Sequence, residues 1–429
     1  MSVQFREESI DEDKDVLEPL IQRDRTNPNN NKGTTWYGAI FLVVNAALGA
    51  GLLNFPQAYD LAGGLTAALI VQAVLIVFVV AALLIMASCA NLNESSSTYQ
   101  DVVLETCGVK YQTICAVGIT LYCYGTCITF LVIIGDQYDR VLASLFGQTF
   151  CHYWYMNRHF TISVTSVVFI LPICFSRRID FLKYVSSVGV IAIFYVVFLI
   201  IYQYYEQTDH PTDIKTRPAK WMDIFNVVPT ICFGYQCHVS AIPIYSCLSK
   251  RTVGNFSKTV FAAIIICMLV YSLAGAYGYY TFGSKVPSDV LEDYNAKKPL
   301  VLVGILMLTV KTITTYPILL FCGRVAIDGL IASRISHNSA ILNEKKRRII
   351  ICLVWFATTL IITAFVPNIS SVIDILGSLA AIFIFVFPGL CWLMATLTKD
   401  ETLVLRKDRL IVVLSCIFIA IGMFCSELF

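Results

Sequence analysis

Two short stretches of this chain carry residues that leave backbone groups without helical partners. The first reads Val43-Val44-Asn45-Ala46-Ala47-Leu48-Gly49-Ala50-Gly51-Leu52-Leu53-Asn54-Phe55-Pro56, with glycines on either side of Ala50 and an amide one turn earlier. The second is bounded by Pro229 and Pro243 and holds Gly234, Gln236 and His238 between them. Glycine loosens a helix and proline removes a donor from it. Freed N–H groups at such a break suit a carboxylate, and freed carbonyls suit a cation. That is binding chemistry. No HExxH or GxSxG pattern is present, and of the five histidines only His238 falls in the interior of an apolar run, so an enzyme is not expected. His238 has two readings. Its ring is either a neutral hydrogen-bonded strut of the break or a pH sensor, since an unperturbed histidine titrates near pH 6.5.

The elements that must position these residues are membrane helices. Of 429 residues 57% are apolar and 14% charged, against roughly a quarter charged in soluble domains. Residues 1–35 alone hold 13 of the 60 charged side chains. A soluble surface cannot be covered with what remains. The net charge of +2 shows no basic face for nucleic acid. The sixteen cysteines are scattered singly and read as small buried hydrophobes.

A helix needs about 20 apolar residues to cross a bilayer. Runs of that kind lie at 33–59, 61–93, 111–135, 159–176, 184–205, 224–249, 259–284 and 299–323. Residues 349–398 divide at Val366-Pro367-Asn368 into two more, and 410–426 is the last. The uncharged stretch 141–157, with Gln148, His152, Tyr153, Trp154 and Asn157, reads as a loop. The fold expected is an all-α polytopic membrane protein of eleven transmembrane helices. With the N-terminus cytoplasmic, 22 of the 31 lysines and arginines lie inside and 8 outside, so the positive-inside rule sets that orientation and leaves the C-terminus lumenal or extracellular.

Breaks in the first and sixth spans, five spans apart, mark a five-plus-five inverted repeat. The repeats run over about 36–205 and 221–398, with a loop and an eleventh helix at 399–429. Residues 1–35 read as a disordered cytoplasmic tail, a surface for a regulatory partner. In it Glu18-Pro19-Leu20-Ile21 resembles an acidic dileucine sorting signal. The sequons at Asn93 and Asn255 lie on the cytoplasmic side and that at Asn368 in a hairpin too close to the membrane, so glycosylation is not expected. Taken singly, Gly-x-Gly suits close helix packing and a proline-rich span suits a kink. Their matching places in the two halves favour a binding site. No repeated filter or charge ring points to a channel.

The runs Asn45 to Gly51, Pro229 to His238 and Phe385-Val386-Phe387-Pro388-Gly389-Leu390, with Tyr316-Pro317, resemble the sodium-coupled neutral amino acid transporter family. Gly51 to Pro56, Ile134-Gly135-Asp136-Gln137 and Ile231 to Gly234 look most like its lysosomal glutamine- and asparagine-exporting branch. The resemblance covers the chain from about residue 34 to its end. It implies secondary active transport of small neutral amino acids by alternating access, across the lysosomal membrane or, failing that, the plasma membrane. No cofactor is implied beyond a coupling sodium ion or proton. Carried over, the backbone of Gly49, Ala50 and Gly51 receives the substrate carboxylate, and Cys232, Phe233 and Gly234 hold its amino group and side chain. The carbonyls of Asn45 and Leu48 with the hydroxyls of Thr314 and Thr315 form the cation site. On their own the two threonines read equally well as caps on carbonyls of their own helix.

Lys311 departs from this pattern, standing where the resemblance implies a small neutral residue. It lies three residues before Thr314 and four before Thr315, on one helix face and near mid-membrane depth. About 15 Å from either interface, it is beyond the reach of snorkelling. Its ammonium is expected to occupy or crowd the sodium position, with Asp374 as a candidate counter-ion. The alternative function is an amino-acid-sensing transceptor that signals with little or no flux.

Overall fold

The helix Leu65–Ala90 shows what drives the architecture: 26 residues without a charge, apolar on every face, fit only for burial in protein and lipid. In the computed structural model, residues 34–92, 96–147, 157–175, 180–332, 344–366, 369–397 and 406–427 are described. The tail with Glu18-Pro19-Leu20-Ile21, the sequon at Asn93, the basic turn from Arg177 and the Pro367-Asn368 turn lie outside them.

Every regular element among the described residues is helical. In chain order they are α1 (Trp36–Ala47), α2 (Phe55–Leu61), α3 (Leu65–Ala90), α4 (Tyr99–Cys107), α5 (Val109–Phe146), α6 (Arg158–Cys174) and α7 (Asp180–Glu206). There follow α8 (Val228–Gly234), α9 (His238–Ser246), α10 (Val253–Phe282), α11 (Pro299–Ala332), α12 (Glu344–Phe365), α13 (Ile369–Leu397) and α14 (Arg406–Glu427). An isolated bridge pairs Thr34 with Leu248.

Each of the eleven apolar runs falls on a helix or, for the first and sixth, on a broken one. By length and apolarity seven helices qualify as membrane spans, or eight when α1 and its continuation through α2, bent by 55°, are taken together. Residues 158–174 and 411–425 form shorter apolar helices.

One expectation differs from the fold. Part of the predicted loop at 141–157 is helix, because α5 runs on to Phe146. Its 38 residues rise about 57 Å, well beyond a hydrocarbon core of roughly 30 Å. The protruding end carries charge that is paired in place. Arg158 binds Asp136 and Asp139, and Arg140 donates to Gln137 at 2.9 Å.

Packing brings the two broken spans together. Helix α10 lies against α1, α2, α3 and α7, while α8 packs on α13. The second contact needs Gly377, where a Cβ would sit 2.3 Å from the Pro229 carbonyl oxygen. Further along α13 a π-helical turn, Ile382–Val386, perturbs the helical ladder, and the Tyr99 hydroxyl donates to Phe383 O at 3.0 Å. Gly377→Ala should therefore push α8 off α13 and destabilise the fold by about 1–3 kcal/mol. Thermal unfolding of the detergent-purified protein should show a lowered midpoint, with the exposed neighbour Ser371→Ala unchanged.

Candidate functional site

The first break opens where α1 ends at Ala47. Leu48 and Gly49 are extended (Gly49 φ −123°, ψ −164°), and a 3-10 turn over Ala50–Asn54 leads into α2. The second opens after Gly234: Tyr235, Gln236 and Cys237 are non-helical before α9 begins at His238.

The two breaks meet at Tyr271 of α10. Its buried hydroxyl lies 2.8 Å from Ala47 O and 2.9 Å from Gly234 O, and accepts from Gly49 N at 3.4 Å. The Phe55 ring stacks on it at 4.3 Å. A Cβ on Gly234 would come within 2.9 Å of Phe55, so only glycine admits the stack. Gly51 lies against the Phe233 ring, 3.0 Å from a built Cβ, whereas Gly49 has only Ala47 O nearby, at 3.9 Å. Gly51, Phe233 and Gly234 are thus in mutual contact, with Ala50 and Cys232 buried beside them. Tyr235 is anchored separately, through a buried Gln72 that donates to its hydroxyl at 2.9 Å and accepts from Tyr59 at 2.5 Å.

Lys311 points into the first break. Its ammonium donates to Leu48 O at 2.5 Å, its residue is 5% exposed, and its stem packs on Gly189. Asp374 is half-buried on α13, and among the described ion pairs none joins it to Lys311. The Thr314 hydroxyl donates to Val310 O at 2.9 Å and lies 3.0 Å from Lys311 O; the Thr315 hydroxyl donates to Lys311 O at 2.7 Å. Their protons are used within their own helix, which leaves oxygen lone pairs for a cation. Asn45 is half-buried one turn before Leu48. His238 is buried, its Nδ1 3.1 Å from Gln236 Oε1, a contact that ties the start of α9 to the break. Among the described residues no cluster of three His, Cys, Asp or Glu side chains is placed to hold a metal ion.

Hydrogen bonds brace the first broken span on either side of its break. At one end Thr34 N donates to Cys247 O at 2.9 Å and Ser249 N to Thr34 O at 3.0 Å. At the other the loop after α10 folds over the first break. Val290 N donates to Leu53 O at 3.1 Å, Asn54 Nδ2 donates to Ser288 O at 3.2 Å, and Thr230 donates to Asn54 Oδ1 at 2.9 Å. Asp289 of this loop is fully buried and accepts from Gln137 Nε2 at 3.0 Å and Leu291 N at 2.8 Å. Burial raises its carboxyl pKa to about 6, although Arg140 pulls the other way.

Tyr271 and Asp289 were not legible in the sequence. Tyr271 is one of several tyrosines in Tyr271-Ser272-Leu273-Ala274-Gly275-Ala276-Tyr277-Gly278-Tyr279-Tyr280, and Asp289 one of several loop acids. Neither type nor spacing separates them from their neighbours.

Comparison with known proteins matches residues 32–426 to the family described as transmembrane amino acid transporter protein. The chain is 41% identical over 394 residues to sodium-coupled neutral amino acid transporter 7 of Danio rerio, covering 90% of this chain and 84% of that one. It is 43% identical over 378 residues to the Homo sapiens protein of that name, covering 86% and 82%. With solute carrier family 38 member 8 of Homo sapiens it shares 36% over 375 residues, covering 83% and 84%. Among solved structures it resembles the inward facing conformation of Mhp1, with a TM-score of 0.59 at 13% identity, covering 95% of this chain and 94% of that one.

The buried Asp289 makes stability depend on pH. In the folded chain it holds its proton to about pH 6, and in the unfolded chain only to about pH 4. The fold therefore gains stability as pH falls from 7 towards 4, by on the order of 3 kcal/mol, and loses it as pH rises through 6. Melting midpoints measured from pH 7 to pH 4.5 should climb for the wild type and flatten for Asp289→Asn, which keeps an acceptor for Gln137.

Proposed function

The chain belongs to the transmembrane amino acid transporter family, and on that premise we propose that it carries small neutral amino acids of the glutamine and asparagine kind by alternating access. The observation that supports this most directly is the meeting of two broken helices around one buried point, with an N–H and a C=O of the first break and a C=O of the second turned to it. A zwitterion needs both kinds of partner at the same place. The proposed frame is eleven spans with the first and sixth broken, an inverted repeat over about 36–205 and 221–398, a cytoplasmic N-terminus and a lumenal C-terminus. The membrane proposed is the lysosomal one, and the tail is left for a regulatory partner.

Within this reading the carboxylate sits on Gly49, Ala50 and Gly51, and Cys232, Phe233 and Gly234 face the amino group and side chain. Asn45, Leu48, Thr314 and Thr315 line the cation position, with Lys311 standing in for the ion. Its ammonium already takes the Leu48 carbonyl. A sodium ion 4 Å from that charge meets a repulsion of roughly 4 kcal/mol at an effective dielectric constant of 20. That is nearly three decades in affinity. Proton exchange at the amine would then replace sodium as the coupling step.

Two measurements test the reading. Wild-type protein in proteoliposomes should take up labelled glutamine under an imposed pH gradient and respond weakly to a sodium gradient. Lys311→Ser should gain sodium dependence. Strong sodium dependence in the wild type, unaltered in Lys311→Ser, would show that the lysine is not the coupling group. In parallel, Gly51→Val should drive its side chain into the Phe233 ring and cut uptake at least tenfold in folded protein; full uptake would remove Gly51 from the site.

A further inference from the structure

The Tyr271 hydroxyl carries one proton and faces two carbonyl oxygens, Ala47 O at 2.8 Å and Gly234 O at 2.9 Å. It can satisfy only one of them at a time. It also receives the Gly49 N–H, the amide freed at the start of the 3-10 turn. One side chain of α10 therefore serves backbone groups from both breaks. We infer that Tyr271 is a positioning residue that closes the empty site: it holds the break after α1 against the break after α8 when no substrate is bound, and so lets the unloaded carrier return across the membrane. This rests on the transport function proposed above.

The physical argument concerns the step that a net transporter must complete and an obligate exchanger need not. After release, the empty carrier has to pass through a state closed at both ends. Backbone groups freed by two broken helices then lie in a dry site, where unpartnered polar groups are costly. Substrate would satisfy them in the loaded carrier. In the empty one the protein must do so itself. The arrangement is braced on either side, by Thr34 on Cys247 and Ser249 and by Val290 on Leu53. Tyr271 supplies the partner at its centre, and its ring is locked by the Phe55 stack.

The same stoichiometry explains how the latch yields. One proton between two carbonyls leaves an acceptor unsatisfied, whereas an ammonium group brings three donors. An incoming amino group can outbid the hydroxyl for these oxygens. The latch is weak enough to exchange and present when needed.

The test separates net uptake from exchange. Tyr271→Phe keeps the ring and its stacking and removes only the hydroxyl. Wild type and variant are reconstituted, and labelled glutamine entry is measured into vesicles that are empty and into vesicles preloaded with unlabelled glutamine. Net uptake by Tyr271→Phe should fall at least tenfold, and at least fivefold further than counterflow falls. Equal loss of both, or loss of neither, overturns the inference, because a merely structural role or a direct substrate contact would move them together. Wild-type counterflow without net uptake also overturns it, while leaving the transport function intact. Wild type inert in both assays refutes the transport function itself and the inference with it. If the variant does not accumulate as folded protein, hydrogen exchange on the wild type decides. Segments 45–55 and 230–238 should be as protected without glutamine as with it, and loss of protection in the empty protein overturns the latch.

Discussion

In the middle of a bilayer no water is available to a backbone N–H or C=O, so each needs a partner within the protein. Helices meet this requirement by themselves, and the chain relies on them almost throughout. It departs from the rule at two places, after Ala47 and after Gly234, and both departures converge on Tyr271. The hydroxyl of one buried tyrosine, with the ammonium of Lys311 on Leu48 O, thus permits a gap in two helices at once. The same gap is where the proposed function places the amino acid.

Close packing keeps these groups in register. Gly234 is small because Phe55 and Tyr271 stack where its side chain would be, and Gly377 is small because the Pro229 backbone passes over it. Gln72 fixes Tyr235 from behind, using both ends of its amide on Tyr59 and Tyr235. A fully buried amide with partners on both sides is rigid and directional in a way that apolar contacts are not. The break after α8 is therefore held from two sides, by Tyr271 on its carbonyl and by Gln72 on the next side chain.

Charge is used sparingly and in distinct ways. On the extension of α5, Arg158 and Arg140 neutralise acids and bind amides where the helix leaves the apolar layer. In the loop over the first break, Asp289 is buried among polar donors, which links the stability of that loop to its proton. Lys311 is the opposite case, a cation without a described acid partner, aimed at a carbonyl. The resemblance to a sodium-coupled family and this residue pull in different directions, and the hydrogen bond to Leu48 O shows where the conflict lies.

Much of this was open to reading from the residues alone. Scarcity of charge and the length of the apolar runs determine a helical membrane protein, since the cost of burying polar backbone leaves little else. Glycine at 49, 51 and 234 marks the breaks, because it loosens a helix, while Pro229 and Pro243 lie in the helical segments on either side of the second. Spacing put Lys311 on one helix face with Thr314 and Thr315, and it was the family resemblance that set those threonines beside the first break. Tertiary structure alone decided who meets whom. Tyr271 lies more than 220 residues from Ala47 and 37 from Gly234, and no local pattern distinguishes it from the tyrosines that follow. The choice of Leu48 O over Asp374 as the lysine's partner, and the burial of Asp289, likewise depend on how distant helices cross. Local sequence governs which backbone groups are set free; only the packed bundle determines which side chain arrives to satisfy them.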